Sequence, residues 1–136
     1  MHKVVVDTNV VVSATLSPHG TPAKIVNMVF DGEVQAFYNS NIMAEYEEVL
    51  SREWLGVTAD VRDGIINGFK HFGTQIDHTS SDVPLLDEDD RAFYDTAVAS
   101  GAILITGNAR HYPSEQFIMA PSDFLAKVKK ASNCSF

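Results

Sequence analysis

The stretch Lys3-Val4-Val5-Val6-Asp7-Thr8-Asn9 decides how this chain is read. Its β-branched residues run on without polar alternation, which describes a strand buried on both faces, as in a parallel sheet. A carboxylate follows directly, so Asp7 stands at the sheet edge, half removed from water. Taken alone it has two readings. It is a turn or helix-capping Asp bonded to the backbone at Thr8 or Asn9, or it is a functional acid. A second apolar run, Val10-Val11-Val12, follows and gives way to the loop Ser17-Pro18-His19-Gly20.

Working outward, Thr21 reads as an N-cap with Pro22 at the first helical position. Ile25, Val26, Val29 and Phe30 form that helix's apolar stripe, and Gly32 stops it. Val34 to Tyr38 is a short second strand. Ser40 or Asn41 caps a helix that runs through Glu45 to about Arg52. Thr58 caps another, with Val61, Ile65, Ile66 and Phe69 at helical spacing, although Gly64 and Gly68 weaken it. Thr74 to Ile76 is a third strand, and Ser80 to Asp87 a polar loop. Asp87-Glu88-Asp89-Asp90 opens a helix that ends at Gly101, where glycine is expected. Ile103 to Thr106 and Phe117 to Met119 are strands, and Pro121 starts a last helix with Phe124, Leu125 and Val128. Strands and helices alternate, which favours an α/β domain with a mainly parallel sheet between helical layers. The domain is expected over 1–130, with a loose tail at 131–136. In such sheets ligands gather at the carboxyl ends of strands, where both Asp7 and Asn108 fall.

The 136 residues fit one domain with a real core. A hydrophobic share of 45% and a charged share of 21% are ordinary globular values. Cys134 is the only cysteine, so no intrachain disulfide exists and a reducing compartment is the natural setting. A bilayer span takes about 20 apolar residues with few charges. Asp7 and Asn9 interrupt the most apolar stretch, so a soluble, cytoplasmic protein without a membrane role is expected. The net charge of −8 argues against a general nucleic-acid coat. It leaves room for a nuclease whose acidic site is neutralised by metal.

Glu45 lies three residues after Ile42 and four before Val49, on the apolar side of its helix, whereas Glu47 is better placed to face solvent. Asp90 heads the apolar face that continues through Phe93 and Ala97. An inward carboxylate is costly unless paired, protonated or bound to a cation. Three of them on separate elements, with few Lys or Arg on matching faces, point to a metal. The donors on offer are hard oxygens: these carboxylates, the Asn9 and Asn108 amides, and the hydroxyls of Thr8, Ser13 and Thr106. They suit Mg²⁺ or Mn²⁺. A structural zinc site is not expected, because Cys134 is alone and the five histidines lack ligand spacing. Such an ion supports phosphodiester hydrolysis without a protein nucleophile.

The pieces Val4-Val5-Val6-Asp7-Thr8-Asn9, Ile42 to Leu50 around Glu45, Asp89-Asp90-Arg91-Ala92-Phe93 and Leu104-Ile105-Thr106-Gly107-Asn108 occur in order over nearly the whole chain. Together they resemble the PIN-domain family of nucleases, in particular the PIN-type toxins of bacterial and archaeal toxin–antitoxin pairs. The resemblance implies a three-layer α/β/α sandwich and Mg²⁺- or Mn²⁺-dependent cleavage of RNA. It places the family's three acids on Asp7, Glu45 and Asp90, its small polar residue on Asn9 and its supporting threonine on Thr106. Asp95 competes for the third acid, but the register to Leu104-Ile105-Thr106 favours Asp90. It also implies a homodimer held inactive by an antitoxin protein. Where many members carry a fourth acid, this chain has Asn108, which adds no negative charge.

Arg110 and His111 could steer a phosphate or protonate a leaving group, with a solvated loop pair as the alternative. Lys24, Arg52 and Arg91 could form a weak basic rim. Trp54 and Phe69 could stack bases, although aromatics at helical spacing are usually core. Three functions follow: an endoribonuclease, a catalytically weakened RNA- or partner-binding module, and a phosphohydrolase of small esters.

Overall fold

A computed structural model describes residues 1–77 and 80–133. The segments 78–79 and 134–136 lie outside the described residues, and the reading of Cys134 as a tail residue falls there. Strand β1 (Lys3–Val6) is buried from Val4 onward. The apolar run after it, for which periodicity set no type, is helix α1 (Thr8–Leu16). Asp7 makes that switch from strand to helix in one residue. Its side chain accepts from the Thr8 N–H, and its carbonyl accepts from the Val10 N–H at 3.0 Å. Burial of Val10, Val11 and Ala14 then outweighs the modest helix aversion of β-branched residues.

Helix α2 (Thr21–Phe30) begins one residue earlier than expected. Gly20 is its N-cap, without a side-chain bond, and Thr21 is already helical. Strand β2 (Gln35–Tyr38) leads straight into α3 (Ser40–Leu50). The cap of α3 is Asn39, not Ser40 or Asn41, because β2 hands over without a loop. Its Oδ1 accepts the Ile42 N–H at 2.8 Å from a buried position. Helix α4 (Ala59–Phe72) has the Thr58 cap read from sequence. Gly68 has a packing reason: a Cβ there would approach the Phe30 ring of α2 to 2.4 Å.

Strand β3 (Thr74–Gln75) precedes the polar loop. The acidic run is not itself a first α-helical turn. Glu88–Asp90 forms a 3₁₀ turn capped by Asp87, and α5 (Arg91–Ser100) follows, ending at Gly101 with φ 70°. Strands β4 (Ile103–Ile105) and β5 (Ile118–Met119) and helix α6 (Pro121–Asn133) complete the chain, so Ala131 to Asn133 continue α6.

All five strands are parallel, in the order β3-β2-β1-β4-β5, within a three-layer α/β/α arrangement. Helix α5 packs on β1, β2 and β4. The chain winds outward from β1 to β3, then returns to β4 on the other side of β1. That reversal leaves a crevice outside the carboxyl ends of β1 and β4, where α/β sheets bind ligands. Val6 pairs with Ile105 in register, so Asp7 and Thr106 emerge side by side. No helix among the described residues is long and apolar enough to cross a membrane.

The Asn39 cap is testable. Asn39→Ala should cost about 1 kcal/mol in urea unfolding, whereas Asn41→Ala, at an exposed position already inside α3, should stay within about 0.5 kcal/mol.

Candidate active site

Asp7 projects from the end of β1 and is only 6% exposed. Its Oδ1 accepts the Thr8 N–H at 2.7 Å. Its Oδ2 accepts the hydroxyls of Thr106 at 2.8 Å and Tyr112 at 3.1 Å. Burial raises its pKa, and those hydrogen bonds and the nearby His111 pull it partly back. The capping and functional readings of Asp7 are therefore compatible: the side chain caps α1 while facing the crevice.

Helix α3 presents Glu45 from the far side. Ile42, Tyr46 and Leu50 are fully buried and lock the helix face. Glu45 is half-buried on the same side, and Glu47 faces solvent beside Lys70. The Tyr46 hydroxyl donates to the Val6 carbonyl at the end of β1, and the Thr8 hydroxyl donates to Glu45 Oε2. Two contacts thus tie the second acid to the strand end that carries the first. Burial raises the Glu45 pKa, the Thr8 bond opposes this, and the charges of Asp7, Asp89 and Glu48 add to it.

Asp90, at the head of α5, is also half-buried. Desolvation pushes its carboxyl up to about 6; Asp7, Asp87 and Glu45 reinforce the shift, and His111 opposes it. Asp7, Glu45 and Asp90 therefore share one electrostatic field. None has a lysine or arginine partner: the ion pairs among the described residues lie elsewhere. Arg91, the nearest candidate in sequence, is spent on Glu88, on the Ser81 and Val83 carbonyls, and on Asp95 at 3.6 Å. That also separates Asp95 from the site, because this buried acid accepts from Ser81 and faces Arg91.

The supporting residues have clear partners. Asn9 Oδ1 accepts the Gly107 N–H at 2.9 Å, which joins α1 to the loop after β4. Thr106 Oγ1 accepts the Asn108 N–H at 3.0 Å while donating to Asp7. The Asn108 side chain is exposed and makes no hydrogen bond among the described residues. With Asn9, Ser13 and Gly107 it lines a cavity of about 240 Å³. Arg110 and His111 are exposed beside it. Phe69 is core, packed on Tyr46 and Phe30, whereas Trp54 is 76% exposed. Among the described residues no three His, Cys, Asp or Glu side chains form a ready-made metal cage.

Sequence reasoning missed Tyr112 and Tyr46. Each reads as an ordinary core aromatic, and only the hydroxyl partner across the fold gives it a role. Tyr112 is buried, and its pKa is driven far up by desolvation and by Asp7.

The fold is a parallel α/β/α sandwich with Asp7, the acid that ends its first strand, at the switch point of the sheet. The chain belongs to the PIN domain family, whose pattern matches residues 3–110. It is also similar to an uncharacterized protein of Methanocaldococcus jannaschii, 34% identical over 110 residues, covering 78% of this chain and 70% of that one. Members of the family are in general nucleases.

The raised acids make a pH prediction. A carboxylate whose folded pKa exceeds its unfolded value holds extra protons in the folded state, so its stabilising contribution is lost as pH rises through the folded pKa. For Asp90 the window runs from 3.8 to about 6. Metal-free protein should melt lower at pH 7.5 than at pH 5, and Asp90→Asn should flatten that difference and raise the melting temperature at pH 7.5.

Proposed function

We propose that this chain is a divalent-metal-dependent endoribonuclease that hydrolyses RNA phosphodiester bonds and serves as the toxin of a toxin–antitoxin pair. The observation that carries the catalytic reading is the group Asp7, Glu45 and Asp90. These three acids come from separate elements, the charge of Asp7 raises the pKa of both Glu45 and Asp90, and none of the three has a lysine or arginine partner among the described residues. Such a group is costly as anions, and its all-oxygen donor set fits a hard dication. Mutual repulsion also works against the close approach a cage requires, so a cation is what would draw these side chains together.

Asp7, Glu45 and Asp90 would hold Mg²⁺ or Mn²⁺, with the Asn108 amide as a neutral addition. When bound, the ion supplies polarisation of a phosphate oxygen and a more acidic water. The protein's own groups provide the rest. Thr106, Tyr112 and the Thr8 N–H orient Asp7, and the Thr8 hydroxyl orients Glu45. A carboxylate oxygen of this acidic group that the ion leaves free would receive the proton of an attacking water. His111, close enough to act on Asp7 and Asp90 by charge, would steer a phosphate or protonate the leaving group. The toxin role, an antitoxin covering the site and a homodimer rest on the likeness of the four motifs to PIN-type toxins.

Asn108 favours a second reading, a module that binds RNA or a protein partner with weakened catalysis. Its amide adds no charge where many relatives of this type carry an acid. One assay separates the readings: labelled single-stranded RNA with Mn²⁺, Mg²⁺ or chelator. Metal-dependent cleavage by the wild type, lowered at least about 100-fold in Asp7→Asn, is the expected outcome. A silent wild type that Asn108→Asp switches on would establish the binding module. Turnover of p-nitrophenyl phosphate with intact RNA would sink both.

A further inference from the structure

The donors around Asp7 count out what remains of its capacity to bind. Each carboxylate oxygen offers about two acceptor directions. Oδ2 takes the hydroxyls of Thr106 and Tyr112, at 2.8 and 3.1 Å. The polarity of the Thr106 bond is fixed, because its oxygen already accepts from the Asn108 N–H and its hydrogen is left for Asp7. Tyr112 is 6% exposed, and Asp7 is its hydroxyl's hydrogen-bond partner among the described residues. Oδ1 takes the Thr8 N–H at 2.7 Å. One acceptor direction of Oδ1 is left over.

We infer that Tyr112 is a specificity-determining positioning residue: with Thr106 it saturates Asp7 Oδ2, confines Asp7 to one-point contact through Oδ1, and so favours Mg²⁺ or Mn²⁺ over Ca²⁺. The inference rests on the metal-binding reading given above. Ca²⁺ accepts six to eight oxygens in flexible geometry and readily takes both oxygens of a carboxylate, whereas Mg²⁺ keeps a tight octahedron and takes one. Closing both Asp7 oxygens on one ion would strip a buried hydroxyl of its acceptor, and burial leaves no water to replace it. The Tyr112 ring has little room to follow, since it is buried in the core. The hydroxyl acts on the ion through Asp7.

The test is titration calorimetry of the full chain with Mn²⁺ and with Ca²⁺, for the wild type, Tyr112→Phe and Thr106→Val, with near-UV circular dichroism to follow the fold. Tyr112→Phe removes one oxygen and frees one direction on Oδ2. The ratio of Mn²⁺ to Ca²⁺ affinity should fall about tenfold, and Thr106→Val should move it the same way. A purely structural role would weaken both ions equally, so an unchanged ratio in folded Tyr112→Phe overturns the inference. If that variant does not fold, the ratio in Thr106→Val decides in the same manner. A wild type that binds neither ion overturns the metal reading and this inference together; one that binds Mn²⁺ with a ratio insensitive to both hydroxyls overturns the inference alone.

Discussion

The carboxylate of Asp7 sits where β1 becomes α1, and three donors from three places in the chain converge on it. Thr8 supplies a backbone N–H, Thr106 a hydroxyl from the end of β4, and Tyr112 a hydroxyl from the loop beyond. Its backbone carbonyl opens α1, and its backbone N–H pairs with Ile105. Remove that one anchored side chain and the first helix loses its cap, two buried hydroxyls lose their acceptor, and the crevice loses its central charge. Glu45 depends on the same junction, because Thr8 and the end of β1 hold α3 in place through Glu45 and Tyr46.

Around that junction the chain accepts a local electrostatic cost that its core has to offset. Val4, Val5, Leu104 and Ile105 are wholly buried along the two central strands, and Tyr46, Phe69 and Phe93 fill the space beneath α3, α4 and α5. On this rigid floor stand three acids that would each rather be protonated or paired. Basic residues could have neutralised them, yet Arg91 turns to the loop carbonyls and Glu88, and Lys70 to Glu47. Uncompensated charge held at a fixed place by a well-packed scaffold is how functional sites commonly depart from the stability optimum.

Much of this was legible in order. The parallel sheet followed from unbroken β-branched runs alternating with helical stripes, and the Gly101 stop and Thr58 cap followed from their side-chain chemistry. Boundaries slipped where elements abut without a loop. Asn39 caps α3 because β2 ends at Tyr38, and the run after Asp7 is helical because Asp7 itself caps it. The likeness to PIN-domain proteins was carried by short motifs whose spacing a linear reading can follow, and the family match covers the same span.

By itself the sequence determined the β1 strand, its terminal acid, the inward faces of Glu45 and Asp90, and the absence of a charge at Asn108. Each follows from period and residue type, which report the face a side chain occupies. Only the tertiary structure decided what that face meets. Asp7 finds Thr106 and Tyr112 at separations of 99 and 105 residues, and Thr8 finds Glu45 at 37. Those pairings come from strand order and register, which bring the ends of β1 and β4 together across the sheet. No local pattern encodes them, because the hydroxyl of a buried tyrosine looks the same in sequence whatever it points toward.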